Sequence, residues 1–347
     1  MRALIVGAGA VGTYLAARLR LGGHEPVLLA RPATADAIAR SGVTLRIGDD
    51  EWPVSVGSAS AAGDRSLRDP FELAVVALKA YSTAEAIESL RAVRACAEST
   101  ILNVQNGLGN EEAFAAAFGA DRIAAGALTT AVEKKDETTV VAAAKGGLSF
   151  APVGSTPHNW LLPALESTGL RTRAAGDWRA LKWSKLCMNL IANGVCAALD
   201  WTPAQVYANA GAFAVERESL VEAVDVMRRL RIAPVGLVDF PVPLLVAAIS
   251  LLSPSLLRGV LAKRVAAARG DKLPSLLIDV RSGRKVTEVD ALNGAVARAA
   301  EGAGASAPAN AAIARIVSGI ASGAIERTEF RGKPDSLAAE VARGRKH

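Results

Sequence analysis

Aromatic residues make up only 4 % of the 347-residue chain, and histidine, cysteine and methionine occur three times each. With so few rings there is no basic patch interleaved with aromatics, the pattern that grips single-stranded nucleic acid, so nucleic acid is not an expected partner. Cys96, Cys187 and Cys196 are odd in number and lack C-x-x-C spacing. If Cys187 and Cys196 share one helix, nine residues place them on opposite faces, which argues against a disulfide or shared metal. Reduced thiols suit a cytoplasmic location. His24, His158 and His347 are scattered and no H-E-x-x-H occurs, so no metal is expected. Long uninterrupted apolar runs are missing too. The most apolar stretch, Val235 to Val265, is broken by Pro241, Pro243 and Pro254 and flanked or entered by Asp239, Arg258, Lys263 and Arg264. It falls short of the ~20 apolar residues that cross a bilayer and reads as buried or interface helices, with no membrane contact.

What is present is Ala, Val and Leu at high density and a formal charge of +6 spread along the chain. The length allows two domains. In the first half, short apolar runs alternate with helical patterns, the mark of a parallel sheet with crossover helices. Strands are expected at Ala3–Val6, Pro26–Ala30, Leu73–Leu78 and Thr100–Val104, with helices at Val11–Leu21 and Ser82–Cys96. Val43 to Val56, Thr138 to Ala143 and Leu148 to Phe150 read as shorter strands that extend the sheet or form hairpins. Near Gly176-Asp177 the pattern turns all-helical, with helices expected at Trp178–Leu199, Ala212–Leu230, Val286–Ala303 and Ala309–Gly323. The expected division is 1–176 (α/β, Rossmann), 177–340 (all-α) and a frayed basic tail, 341–347.

Gly7-Ala8-Gly9-Ala10-Val11-Gly12 matches G-x-G-x-x-G between a strand and a helix. Gly7 suits the tight turn, Gly9 the close approach of a pyrophosphate and Gly12 the packing of helix on strand. The helix-start N–H groups of this loop then face the phosphates, making Gly7 through Gly12 the cofactor cradle. At the end of the second strand, where NAD enzymes usually carry Asp or Glu, this chain has Arg31. A guanidinium there pairs with a 2′-phosphate, which points to NADPH; a solvated loop arginine is the plainer alternative.

Lys185, Asn189 and Asn193 fall at i, i+4 and i+8, one face of a helix over about three turns. Asparagine is a poor choice inside a helix that is otherwise apolar, so the stripe is a candidate site, although a polar stripe satisfied by neighbouring backbone has the same pattern.

These residues, with Leu78-Lys79-Ala80, Gln105-Asn106-Gly107-Leu108-Gly109 and Thr287-Glu288-Val289-Asp290-Ala291-Leu292-Asn293-Gly294, occur in an order that resembles the ketopantoate reductase family, the NADPH-dependent 2-dehydropantoate 2-reductases. The resemblance covers nearly the whole chain. It implies an N-terminal Rossmann domain joined to a helical domain of the 6-phosphogluconate dehydrogenase type, with the active site in the cleft between them. Lys185 would be the general acid, and Asn189 and Asn193 substrate ligands. Ser275 would bind the substrate carboxylate and Glu288 would stand near the lysine and the substrate. Lys79 and Asn106 would line the nicotinamide end of the cleft. The substrate would be a small anionic 2-oxo acid, and the enzyme a cytoplasmic one able to form a homodimer. Hydride addition to a 2-oxo carbon builds charge on the carbonyl oxygen, which a protonated lysine stabilises and neutralises.

Two departures stand out: the spacing from Ser275 to Glu288 is one residue longer than the family pattern, and Val235–Val265 lengthens the helical domain. The alternatives are a paralogue acting on another branched 2-oxo acid and a dinucleotide-binding sensor without activity.

Overall fold

The structure is a computed structural model that describes residues 1–269 and 272–345. Its strands are β1 (Arg2–Val6), β2 (Glu25–Leu29), β3 (Val43–Ile47), β4 (Asp50–Val54), β5 (Gly57–Ala59) and β6 (Leu73–Val76). They continue with β7 (Thr100–Asn103), β8 (Ile123–Leu128), β9 (Val132–Lys134), β10 (Thr139–Ala142), β11 (Leu148–Pro152) and β12 (Thr172–Ala174). Interleaved with them are helices α1 (Ala10–Leu21), α2 (Pro32–Ser41), α3 (Thr83–Ala92), α4 (Asn110–Phe118) and α5 (Leu161–Glu166).

Six strands pair in parallel in the order β5-β2-β1-β6-β7-β8. That is the doubly wound order of a dinucleotide-binding sheet, 3-2-1-4-5-6 when these six are numbered among themselves. Leu4, Ile5, Leu73, Ala74 and Val75 are buried because helices cover both sheet faces, which is why these strands read as unbroken apolar runs. β11 joins β8 antiparallel and carries β12 as the outer strand. The three short segments split their roles. Val43–Val56 is a hairpin of β3 and β4, and β10 pairs with β3 in a second, four-stranded sheet of order β4-β3-β10-β9, whereas Leu148–Phe150 lies in the main sheet.

The second half holds α6 (Trp178–Leu190), α7 (Gly194–Leu199), α8 (Pro203–Ala208), α9 (Ala210–Arg229), α10 (Val242–Leu251) and α11 (Pro254–Arg269). It ends with α12 (Ser275–Arg281), α13 (Asn293–Gly302), α14 (Pro308–Ser322), α15 (Arg327–Phe330) and α16 (Pro334–Gly344). α14 is the hub: it packs against α7, α9, α13 and α16, and Ala309, Ile313, Ile316 and Val317 on it are buried.

Two compact units result. The first comprises Met1–Gln105, Gly109–Lys182 and Gly236–Pro241; the second comprises Asn106–Leu108, Trp183–Val235 and the chain from Val242 onward. The division therefore falls inside α6, after Lys182, and two short segments belong to units their sequence position does not suggest. Val238 is held in the first unit by Ser149 Oγ, which accepts its N–H at 3.2 Å, and by Thr129 Oγ, which donates to its carbonyl at 3.0 Å.

Several expectations need correction. Trp178–Leu199 is two helices, so Cys187 and Cys196 do not share one. Both thiols and that of Cys96 are buried and outside any disulfide, and burial pushes Cys187 up to about 12. Val286–Ala303 begins with a 3₁₀ turn at Glu288–Asp290, and α13 starts only at Asn293. The tail is not frayed through Arg345: α16 buries Leu337 and Val341, and Arg345 pairs with Glu218, while Lys346 and His347 lie outside the described residues. The apolar segment forms α10 and α11, in which Ile249, Leu257 and Leu261 are buried and Leu244, Leu251, Leu256 and Val260 are exposed. Among the described residues no helix is long and apolar enough to cross a membrane.

Candidate active site

In the first unit the glycine loop has the geometry its spacing demands. Gly7 has φ +106°, a conformation that a side chain makes costly, and a Cβ there would meet Leu78 at 2.7 Å. A Cβ on Gly12 would lie 1.9 Å from the Gly7 carbonyl oxygen, so α1 reaches the strand turn only as glycine. At Gly9 nothing lies within 4 Å of the added Cβ, and Gly9 is exposed. α1 begins here with no side-chain cap and no acidic residue in its first turn, which leaves the amides of Ala10, Val11 and Gly12 without a capping side chain. Open space beside uncapped helix donors fits a phosphate group.

Ala8 and the loop receive one more group that the linear motif does not contain. Lys134, at the end of β9, donates from Nζ to the Ala8 carbonyl at 2.9 Å and to Glu137 Oε2 at 3.1 Å. Arg31 caps α2 just past the end of β2 and is exposed. Lys79 follows β6 as the residue capping a short 3₁₀ turn; its carbonyl accepts from Gln105 Nε2 at 3.0 Å.

Below that turn lies a buried ion pair. Lys182 and Glu111 are 1 % and 0 % exposed and 2.8 Å apart. Lys182 also donates to the Gln105 carbonyl at 2.5 Å, and Asn103 Nδ2 donates to Glu111 at 2.8 Å. Burial pushes the Glu111 carboxyl above its usual range while the Lys182 ammonium pulls it down. Gln105 is thereby held by backbone and side chain, just before Asn106.

In the second unit, Asn106 Oδ1 accepts from Asn189 Nδ2 at 3.0 Å. Gly107, with φ +87°, lies so close to Ala291 that a Cβ would sit 2.3 Å from its carbonyl oxygen, and Leu108 N–H donates to that oxygen at 3.1 Å. Ala291 directly follows the 3₁₀ turn that Glu288 begins; Glu288 is 4 % exposed and Thr287 caps the turn. Half-buried Lys185 precedes Asn189 by one turn of α6.

Asn193 differs from the expected third rung of that stripe. The helix ends at Leu190, Ala192 takes φ +49°, and Asn193 lies in the break. Its Nδ2 donates to the Asn189 carbonyl at 3.0 Å, the acceptor its own backbone N–H would use in a continuous helix. Its Oδ1 accepts the Leu276 N–H at 3.1 Å, satisfying a donor in the first turn of α12. Ser275 begins that turn, exposed, with Pro274 rather than Ser275 at the cap position. The break is pinned from a third side by buried Glu216, which accepts the Ala192 N–H at 3.1 Å and the Tyr207 hydroxyl at 2.7 Å. Asn106, Asn189, Asn193, the Ser275–Leu276 turn and the Glu288–Ala291 turn thus form one hydrogen-bonded chain within the helical unit.

The model of the family described as "Ketopantoate reductase PanE/ApbA" matches residues 3–155, and that of its C-terminal domain matches residues 177–321. The chain belongs to the ketopantoate reductase family. A 2-dehydropantoate 2-reductase of Archaeoglobus fulgidus is 25 % identical over 328 residues, which span 93 % of this chain and 98 % of that protein. The crystal structure of a 2-dehydropantoate 2-reductase from Geobacter metallireducens is similar with a TM-score of 0.76 and 25 % identity, covering 91 % and 99 % of the two chains. A D-mandelate dehydrogenase solved with NADH and anilino(oxo)acetate shares the fold at a TM-score of 0.78 and 20 % identity, over 93 % of this chain and 99 % of that one.

The sequence reading missed Lys182, Glu111, Lys134 and Glu216. A lysine at position 182 inside an apolar helix was a readable sign, since charges are seldom buried unpaired. Its partner, 71 positions away, was not.

Proposed function

We propose that this member of the ketopantoate reductase family reduces 2-dehydropantoate to pantoate with NADPH in the cytoplasm. The observation that carries the reading is the hydrogen-bonded chain joining Asn106, Asn189, Asn193, Ser275–Leu276 and Glu288–Ala291, because these are stretches to which the sequence resemblance assigns site residues. NADPH, held at Gly7, Ala8, Gly9, Ala10, Val11 and Gly12 with Arg31 on its 2′-phosphate and Lys79 and Asn106 toward the nicotinamide, supplies the hydride when bound. Lys185 donates a hydrogen bond to the 2-oxo oxygen and gives up its proton as charge develops there. Asn189 is oriented by its bond to Asn106, so its carboxamide meets the substrate without rotating. Asn193 acts through position: it holds the α12 turn that presents Ser275 to the carboxylate. Buried Glu288 is the acidic residue this reading assigns beside Lys185 and the substrate.

Steady-state NADPH oxidation with a panel of 2-oxo acids tests this. The expected result is a kcat/KM for 2-dehydropantoate at least tenfold above that for 2-oxoisovalerate or phenylglyoxylate; no preference for it would remove the named substrate. A second reading, reduction of another branched 2-oxo acid, draws on the lengthened α10–α11 segment and the fold shared with a D-mandelate dehydrogenase. The exposed leucines of α10 and α11 are the surface through which we propose a homodimer, a state that sedimentation reads directly.

A further inference from the structure

Beyond the glycine loop and Arg31, the first unit brings a second cation to the dinucleotide cradle. Lys134 ends β9, and its place is set by pairing with Val140 of β10 in the small sheet, whose other strands share no hydrogen bonds with β1. From there its stem packs inward, leaving the side chain 21 % exposed, and its ammonium reaches the Ala8 carbonyl inside the loop at 2.9 Å. A second ammonium proton goes to Glu137 Oε2 at 3.1 Å. An ammonium has three donors, so one N–H remains beyond these two bonds. Glu137 also accepts from Thr34 Oγ1 at 2.6 Å, in the first turn of the helix that Arg31 caps. These bonds, that to Thr34 first, hold the Glu137 carboxyl below its usual range, with Arg31 contributing at longer distance. Lys134, Glu137 and Arg31 together carry one net positive charge beside uncapped helix donors. NADPH brings about four negative charges to the same rim, counting its pyrophosphate and 2′-phosphate.

We propose that Lys134 is a phosphate ligand of the dinucleotide, its remaining N–H directed to the pyrophosphate, with the β9–β10 hairpin as the element that delivers it. The inference rests on the reading of the loop as a dinucleotide cradle. It assigns Lys134 and Arg31 different targets: Lys134 the pyrophosphate common to both nicotinamide cofactors, Arg31 the 2′-phosphate of one.

Calorimetric titration of the intact protein with NADPH and with NADH separates them. Lys134→Met should raise Kd for both cofactors by about tenfold, in the range of one lost charge-assisted hydrogen bond. Its Kd should also become less sensitive to added salt, because one ionic contact is gone. Lys134→Arg should restore most of the affinity, and Arg31→Ala should weaken NADPH alone. Wild-type affinities in Lys134→Met, or a loss of affinity with an unchanged salt dependence, overturn the assignment and leave the cradle reading intact. A wild-type protein that binds neither dinucleotide overturns both.

Discussion

The turn at Gly7 and the helix break at Ala192 both require a residue with positive φ, and the chain meets that need in opposite ways. At Gly7, φ +106° is met by a residue that adopts it freely, and the neighbouring glycines complete a device contained in six consecutive positions. At Ala192, φ +49° falls on a residue with a side chain, at a local cost of about 1–2 kcal/mol. That cost is offset by partners from elsewhere: Glu216 takes the Ala192 N–H, and the Asn193 carboxamide bridges the Asn189 carbonyl and the Leu276 N–H. A device built from its own residues leaves a motif in the sequence; one built from distant partners leaves only isolated polar residues in apolar surroundings.

Three substitutions sharpen this contrast. Gly12→Ala should have the largest effect, since its Cβ lies 1.9 Å from a backbone oxygen that cannot yield without moving β1. Little folded protein is expected, read by near-ultraviolet circular dichroism and yield. Gly9→Ala, three positions earlier at the N-cap and in open space, should melt like wild type yet bind NADPH more weakly; equal damage from both would break the division of tasks among the glycines. Lys182→Met comes next. It leaves Glu111 buried without its cation, which costs about 3–5 kcal/mol at neutral pH. Glu111 already has a raised pKa from burial, and losing Lys182 raises it further. A carboxyl raised in the folded state costs stability above its unfolded pKa, and that cost disappears as pH falls and the group takes up a proton. The deficit in urea midpoint should therefore be large at pH 8 and shrink toward pH 5. A deficit independent of pH would show that Lys182 matters for packing alone.

Most of the first unit was legible. Apolar runs four to six residues long marked the parallel strands because both sheet faces are covered, and the glycine spacing marked the start of α1. The second sheet was only half legible, since β3, β9 and β10 carry no signal saying which sheet they join; their pairing is decided by packing around α1. In the helical unit, periodicity located α9 and α14 within two residues but ran through the break at Ala192, although Asn193-Gly194, a turn-prone pair, follows it directly. The candidate site residues were picked out by their order along the chain. Asn193 shows the limit of that reading: spacing put it on the face of Lys185, whereas its side chain is committed to two backbone groups.

The central claim is the proposal that Lys185 supplies the proton for an NADPH-dependent reduction. It is tested most directly by Lys185→Ala, comparing NADPH affinity by titration with turnover of 2-dehydropantoate by NADPH oxidation. The account predicts wild-type affinity for NADPH and a kcat lowered by about 10²–10⁴, the range for loss of a general acid. Turnover at the wild-type rate with NADPH bound normally would contradict it.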